Sequence, residues 1–449
     1  PVIPLYIFDE QAEGDWPPGG AQRVYLHHSL KALDEQLRNL GSRLILRHGS
    51  TENHLLDIAR KTKAQAVYYH DRYEPAAVRL QENIEQALAD EGIDAHGYAG
   101  YILHEPDAIR TKADDPYKVF SPFWKAFEKQ VDVPRPIDAP KYIPTPESWP
   151  GGPDLDDLNL LPRRNWDKPI AEYWHCGEKA AGERIAWFTK NAAEDYKQNR
   201  DFPAGRHTSE ISPALHFGEI SPRQAWHAVD NSYAYRREIG WREFSYHLIC
   251  HFPQTPTEEL HQKFKVFPWR DDGRTIRSEL QAWQRGQTGY PIVDAGMRQL
   301  YEIGWMHNRL RMIVASFLTK DLMIYWHHGA RWFWDTLVDA DLGNNTQGWQ
   351  WAAGCGADAQ PFFRIFNPVS QGERFDPDGT FVRRWVPELK DMPNKFIHKP
   401  WDAPPQVLRE AHVELGQTYP QRIVDHREAR DRALAAFEKI KNQIGRAHV

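Results

Sequence analysis

The residues best suited to chemistry lie together at 335–367, DTLVDADLGNNTQGWQWAAGCGADAQPFFRIFN. Asp339 and Asp341 are two apart, Asn344 and Asn345 are adjacent, and Trp349 and Trp351 are again two apart. Buried carboxylates need partners, and neighbouring asparagines form helix poorly, so this crowding points to a polar, aromatic group held against the segment. Read as helix, each two-residue pair diverges, so one indole can face inward while the other faces a cleft. The run from Gly354 to Ala359 imitates a dinucleotide fingerprint, but it follows a helix rather than a strand and is set aside.

Three further constellations precede it. In YKQNRDFPAGRHTSEIS (196–212), Thr208, Ser209 and Ser212 offer hydroxyls where Ser212-Pro213 opens a helix. A helix start can hold a pyrophosphate, and the same residues also make an ordinary N-cap. In EIGWREF (238–244), Glu238, Trp241 and Arg242 share one helical face, fit either for a planar polar ring or for an ion pair beside a packed indole. In 290–318, Asn308 and Met312 share a face one turn beyond Trp305, while Arg309 and Arg311 point elsewhere.

The elements that must position these residues fall into two textures. Residues 1–130 alternate strand-like runs (2–8, 43–47, 66–69, 95–103) with helical ones (22–40, 52–61, 74–91), predicting a parallel sheet covered on both faces. Neither GxGxxG nor GxxxxGK[ST] occurs there. Prolines break periodicity from 131 to 174, predicting a connector wrapped over the surface. From 175 to 449 the pattern is helical, with helices expected at 178–190, 222–231, 234–250, 277–284, 290–303, 308–325 and 330–337.

Composition is that of a globular protein of more than one domain: 449 residues, 41% hydrophobic and 26% charged. Eighteen tryptophans leave room for stacking surfaces or electron relays beyond the core. The net charge of −6 gives no global nucleic-acid signature, although a local patch remains compatible with it. Cys176, Cys250 and Cys355 are too few and scattered for a disulfide framework or zinc site, so no metal is expected. No apolar run reaches membrane-spanning length. A cytoplasmic location is expected, with Asn344-Asn345-Thr346 a chance sequon.

HTSEISPALHFGEISP, WREF, TGYPIVDAGMRQL, GWMHNRLRM, DADLGNNTQGWQW and FFRIFNP occur in this order. Together they resemble the DNA photolyase/cryptochrome family, and within it the class I cyclobutane pyrimidine dimer photolyases. The resemblance implies a doubly wound, Rossmann-like antenna domain (1–130), a connector (131–174) and a helical FAD- and DNA-binding domain (175–449). It implies light-driven repair of cyclobutane pyrimidine dimers in UV-damaged DNA by a monomer, with FAD working as FADH⁻. A second chromophore, a folate (MTHF) or 8-hydroxy-5-deazaflavin, is left open by the 110–117 loop. The alternative is a cryptochrome-type photoreceptor, against which Glu238, Met312 and Asn345 speak.

Residue by residue, the resemblance carries FAD binding to Tyr196, Thr208, Ser209, Glu210, Ile211, Ser212, Arg242, Asp339, Asp341 and Asn345. Asn345 is implied near flavin N5 and, with Glu238 and Asn308, in the reaction itself. Lesion and DNA contacts fall on Glu238, Trp241, Asn308, Met312 and Trp351, with Arg200 and Arg309 toward phosphates. Electron transfer falls on Trp349, Trp326 and Trp269, and Trp283 reads as structural. Family members open with a strand carrying WFRxDLR and a helix. The α/β part is therefore expected to lack its first strand and helix, and a chain starting at Pro1 to fold poorly there.

Overall fold

The computed structural model describes residues 1–358 and 364–446, with side chains through Lys441. Phe362 and Phe363 of FFRIFNP, like Ala359, lie outside the described residues. The chain forms two compact units. The first comprises Pro1–Glu194, Ser209–Pro253 and Val338–Asn344, and the second Asp195–Thr208, Gln254–Leu337 and Asn345–Val449. Compactness thus groups two short stretches of the helical half with the N-terminal part.

The first unit opens with β1 (Leu5–Phe8), α1 (Gly20–Asn39), β2 (Ile45–His48), α2 (Thr51–Thr62), β3 (Ala66–His70), α3 (Pro75–Asp90) and β4 (Asp94–Tyr98). The helix starts have local causes. Gln22 reaches back to the Gly19 amide at 2.8 Å, Ser50 accepts from Asn53, and Pro75 fills the first position of α3. The strands pair in parallel, β1 with β2 and β3 with β4, from Leu5 opposite Ile45 and Ala66 opposite Asp94.

The parallel pairing expected from the strand–helix alternation is present, but it is divided. Among the described residues there are two two-stranded parallel sheets. The crossovers through α1 and α3 make their flanking strands neighbours, whereas the connection through α2 does not bring β2 beside β3. Phe8, Leu26, Leu30, Leu46, Leu158 and Leu160 form a buried cluster. Each such side chain contributes about 1.5–3 kcal/mol of burial.

Two members of that cluster come from the proline-rich stretch, which explains how a segment without long helices stays attached. The Val2 amide on the Pro144 carbonyl and the Ile143 amide on Leu40 add backbone ties. The first unit also holds α4 (Phe120–Gln130) and the long Tyr233–His251 helix. Phe120, Phe123, Trp124 and Phe127 are one buried stripe at helical spacing, and Phe123 meets Phe244 at 5.1 Å. That stripe was readable in the sequence from its helical spacing but was obscured by Pro122, which sits inside the helix.

The second unit is helical, with Arg277–Gln284, Pro291–Ile303, Asn308–Ser316, Trp326–Thr336 and His426–Arg446 among its elements. The helix expected over 308–325 stops at Ser316. A wide π turn follows over Phe317–Asp321, and Met323 takes a left-handed conformation. The turn buries Lys320, whose Nζ donates to the Ala353 carbonyl at 2.7 Å. No helix among the described residues is long and apolar enough to cross a membrane.

Candidate functional site

In the first unit, the Tyr233–His251 helix presents Glu238, Trp241 and Arg242. Trp241 is covered on one face by Phe120, ring centroids 3.7 Å apart and nearly parallel, and its side chain keeps partial exposure. Arg242 is buried, its Nη1 donating to the Tyr101 carbonyl at 2.7 Å. Its Cζ lies 4.5 Å from the Tyr101 ring centre and 5.2 Å from that of Tyr246. Burial works against the charge, but Tyr101, Tyr246, Asp341 and Glu243 around it raise its proton affinity above the ordinary arginine value. Among the described residues its Nη2 is buried without a hydrogen-bond partner.

Asp339 and Asp341 do not lie on a helix, correcting that reading of their spacing: the helix begins at Leu342. Asp341 precedes it and accepts from the Asn344 amide at 2.8 Å, an N-cap bond that orients the helix start. The Asn344 side chain meets the same oxygen, while Tyr101 and Tyr246 hydroxyls donate to Oδ2. Four donors match the lone pairs a carboxylate offers. Asp339 accepts from the Ser212 hydroxyl at 2.5 Å.

The 208–212 stretch is partly committed within the protein. The Ser209 hydroxyl accepts from Tyr235 at 2.9 Å, keeping its own proton to give, whereas the Ser212 proton goes to Asp339. Glu210 sits at φ +51°, and its carboxylate is held by Arg184 at 2.8 Å and Tyr173 at 3.1 Å. Those bonds offset the cost of a left-handed non-glycine residue. Any ligand contact there falls to the backbone rather than to the Glu210 side chain. Ile211 is buried. The helix that Pro213 starts is a single turn, Ser212–His216.

In the second unit, Thr208 is half-buried, and Tyr196 is buried with the Arg200 guanidinium 5.2 Å from its ring centre. Asn345 is buried with its Nδ2 on the Ala330 carbonyl at 3.0 Å. Asn308 is exposed and its amide lies 3.9 Å from the Met312 sulfur, placing the two on one face. His307 caps their helix through Nδ1 on the Arg309 amide, and burial pulls its pKa down to about 4. Arg309 is not held out freely: it pairs with Asp201 at 2.6 Å and stacks over Phe375.

The indoles divide as their spacing suggests, Trp349 being 2% exposed and Trp351 half-buried. Trp349 lies against Gly329, where a Cβ would come within 2.1 Å of the ring. Gly329 is one turn beyond Trp326 on the Trp326–Thr336 helix, so that helix carries both. Tyr325 sits 5.7 Å from Trp326 and 6.0 Å from Trp269, linking the next two. Among the described residues, the buried indole nitrogens of Trp326 and Trp269 have no hydrogen-bond partner. Trp283, fully buried and bonded to the Val314 carbonyl, packs 6.0 Å from Trp349.

Between the two indoles, Gln350 fixes the rotation. Its amide donates to the Thr255 and Glu258 carbonyls at 2.7 and 2.8 Å and accepts from the Leu260 amide at 2.9 Å. Sequence reasoning missed it because a glutamine in a helix carries no distinctive signal. Tyr101 and Tyr246 were missed as well. Tyr246 could have been found, being one turn after Arg242 on its helix.

The family model described as "DNA photolyase" matches residues 1–143, and "FAD binding domain of DNA photolyase" matches 235–439. A deoxyribodipyrimidine photo-lyase of Agrobacterium fabrum is 48% identical over 98% of this chain and 93% of its own length. The chain belongs to the DNA photolyase/cryptochrome family. A solved class III photolyase from Agrobacterium tumefaciens is similar to it with a TM-score of 0.94 and 47% identity, over 98% of this chain and 92% of that one. Cryptochrome-1 of Arabidopsis thaliana is 34% identical, over 98% of this chain and 67% of the plant protein.

For a photolyase chain the orphaned Arg242 Nη2 is a fit for FAD, whose phosphates, ribose and ring edge all accept hydrogen bonds. The amides at 209–212 lie in the same unit, as does the Glu243 carboxylate, whose Oε1 is 3.6 Å from Arg242 Nη1. Beside the 110–117 loop of this unit an open cleft of about 590 Å³ is lined by Thr111, Asp115, Tyr117, Lys118, Pro122 and Phe252.

Proposed function

We propose that this protein is a light-dependent DNA repair lyase acting on cyclobutane pyrimidine dimers. The observation that carries the reading is Arg242, a buried cation with an unanswered Nη2 in a helix face shared with Glu238 and Trp241. FAD would be held by Tyr196, Thr208, Ser209, Ser212, Arg242, Asp339 and Asn345, with backbone contacts at Glu210 and Ile211 and support from Asp341. Bound in reduced form, FAD supplies under blue light the electron that opens the ring.

The chain's own residues then bind and position. Splayed pyrimidines need apolar walls, and the half-exposed faces of Trp241 and Trp351 supply them. Glu238 and Asn308 meet the polar base edges, Asn308 from an exposed helix start already steadied by Met312. Splitting C5–C5′ and C6–C6′ conserves every atom and returns the electron, so no residue must act as nucleophile. Arg200 faces phosphate, and Arg309, locked to Asp201, shapes that surface instead of contributing a free charge. The protein would act as a monomer. The motifs read as class I, while the 47%-identical solved structure is that of a class III photolyase. The chemistry proposed is common to both readings.

The deciding experiment mixes purified, reduced protein with an oligonucleotide containing a thymine dimer and exposes it to blue light. Restored thymines are expected. Flavin photoreduction without repair would assign the chain to the photoreceptor branch. An absorption spectrum of the same sample decides whether a folate, a deazaflavin or neither accompanies FAD, and the cleft beside the 110–117 loop is where we propose it binds.

A further inference from the structure

We infer that Tyr101, in the loop after β4, is a positioning residue for the cofactor-binding part of the first unit, holding Asp341 and Arg242 in fixed relation. This rests on the proposal that FAD binds there. One residue makes three contacts. Its hydroxyl donates to Asp341 Oδ2 at 3.0 Å, its carbonyl accepts from Arg242 Nη1 at 2.7 Å, and its ring lies under the Arg242 guanidinium. The two groups bound are the N-cap of the helix carrying Asn345 and the cation with the unanswered Nη2.

The direction of the hydrogen bonds makes the hydroxyl specific. Gln22 accepts from the Gly19 amide with its oxygen, so its nitrogen faces the Ala340 carbonyl at 2.7 Å and His216 Nε2 at 3.3 Å. An amide nitrogen only donates, so His216 Nε2 accepts and its proton lies on Nδ1. Nδ1 is 3.3 Å from the Tyr101 hydroxyl and donates to it, and the hydroxyl gives its own proton to Asp341 Oδ2 at 3.0 Å. Burial lowers the His216 pKa and raises that of Tyr101, which keeps the imidazole neutral and the phenol protonated, as the relay requires. The chain of donors therefore runs from the start of α1 through His216 and Tyr101 to the carboxylate.

Tyr101→Phe keeps the ring and the carbonyl and deletes the hydroxyl alone. A bond to a charged acceptor is lost, so FAD binding to the full chain should weaken about tenfold, with altered visible circular dichroism of the bound flavin. Melting of the variant establishes that it folds. Should it not, Tyr246→Phe removes a donor to the same oxygen and carries the same expectation. A folded variant that binds FAD as tightly as the parent, with identical flavin dichroism, overturns the inference. A parent chain that takes up no FAD overturns instead the reading on which it rests.

Discussion

Gly329→Ala tests whether Trp349 is seated against the Trp326–Thr336 helix as described. The added Cβ would lie 2.1, 2.4 and 2.6 Å from three carbons of the Trp349 ring, where ordinary contact begins near 3.4 Å. More than an ångström must therefore be found, and the ring has little slack: Phe333 packs on it edge-on at 5.0 Å and Trp283 at 6.0 Å. Alanine in place of glycine inside a helix gains about 1 kcal/mol of propensity. Overpacking a filled site costs about 1–3 kcal/mol. The second effect wins, and a net loss of about 0–2 kcal/mol is expected, seen as a lower melting temperature. With Trp349 displaced from the helix that carries Trp326, photoreduction of the oxidised flavin should slow markedly, while repair by enzyme reduced beforehand stays near normal. Trp349→Phe should show the same split more severely. A Gly329→Ala protein that melts higher and photoreduces at the parent rate would refute this placement of the indole.

Three other perturbations follow from the same geometry. Gln350→Leu leaves the Thr255 and Glu258 carbonyls and the Leu260 amide without their partner, and should cost about 3–5 kcal/mol in denaturant unfolding; an unchanged midpoint would show that the clamp is dispensable. Glu238→Ala should reduce the quantum yield of repair by about tenfold while weakening dimer binding less, because the hydrogen bond grows in importance as charge develops on the dimer. Equal loss in both would make Glu238 a simple binding residue. Lys320 is held near pKa about 7 by burial, below the ordinary lysine value. Between that pH and 10 the unfolded chain binds the extra proton, so stability should rise with pH by up to about 1.4 kcal/mol per unit. Lys320→Met should remove that slope, and melting curves of the two proteins from pH 6 to pH 10 measure it.

Local order was legible where one physical signal dominated. The helices at 277–284 and 291–303 show clear periodicity, and the boundaries drawn from it lie within a residue of those observed. The 308–325 helix failed because nothing in an apolar run announces that Lys320 will turn inward and widen the backbone to reach Ala353. Parallel strands were legible from the alternation, but their division into two sheets was not, because strand-like runs state that a residue can pair, never with which strand. Glu238, Trp241 and Arg242 could be placed on one face from spacing alone, but not the stacking of Phe120 on Trp241, which arrives from α4 more than a hundred residues away.

By itself the sequence determined which residues are available and how each short segment curls: Trp349 and Trp351 diverging, Asn308 on one face with Met312. Spacing within a helix decides such matters because the backbone geometry is fixed at 3.6 residues per turn. Only the tertiary structure decided what those residues touch. It saturated Asp341 with Tyr101, Tyr246 and Asn344, spent the Ser212 proton on Asp339, tied Arg309 to Asp201, and left Arg242 with one unanswered amino group. Hydrogen-bonding capacity is local to a side chain, but whether it is consumed depends on groups brought from distant segments, and that is settled only when the chain has packed.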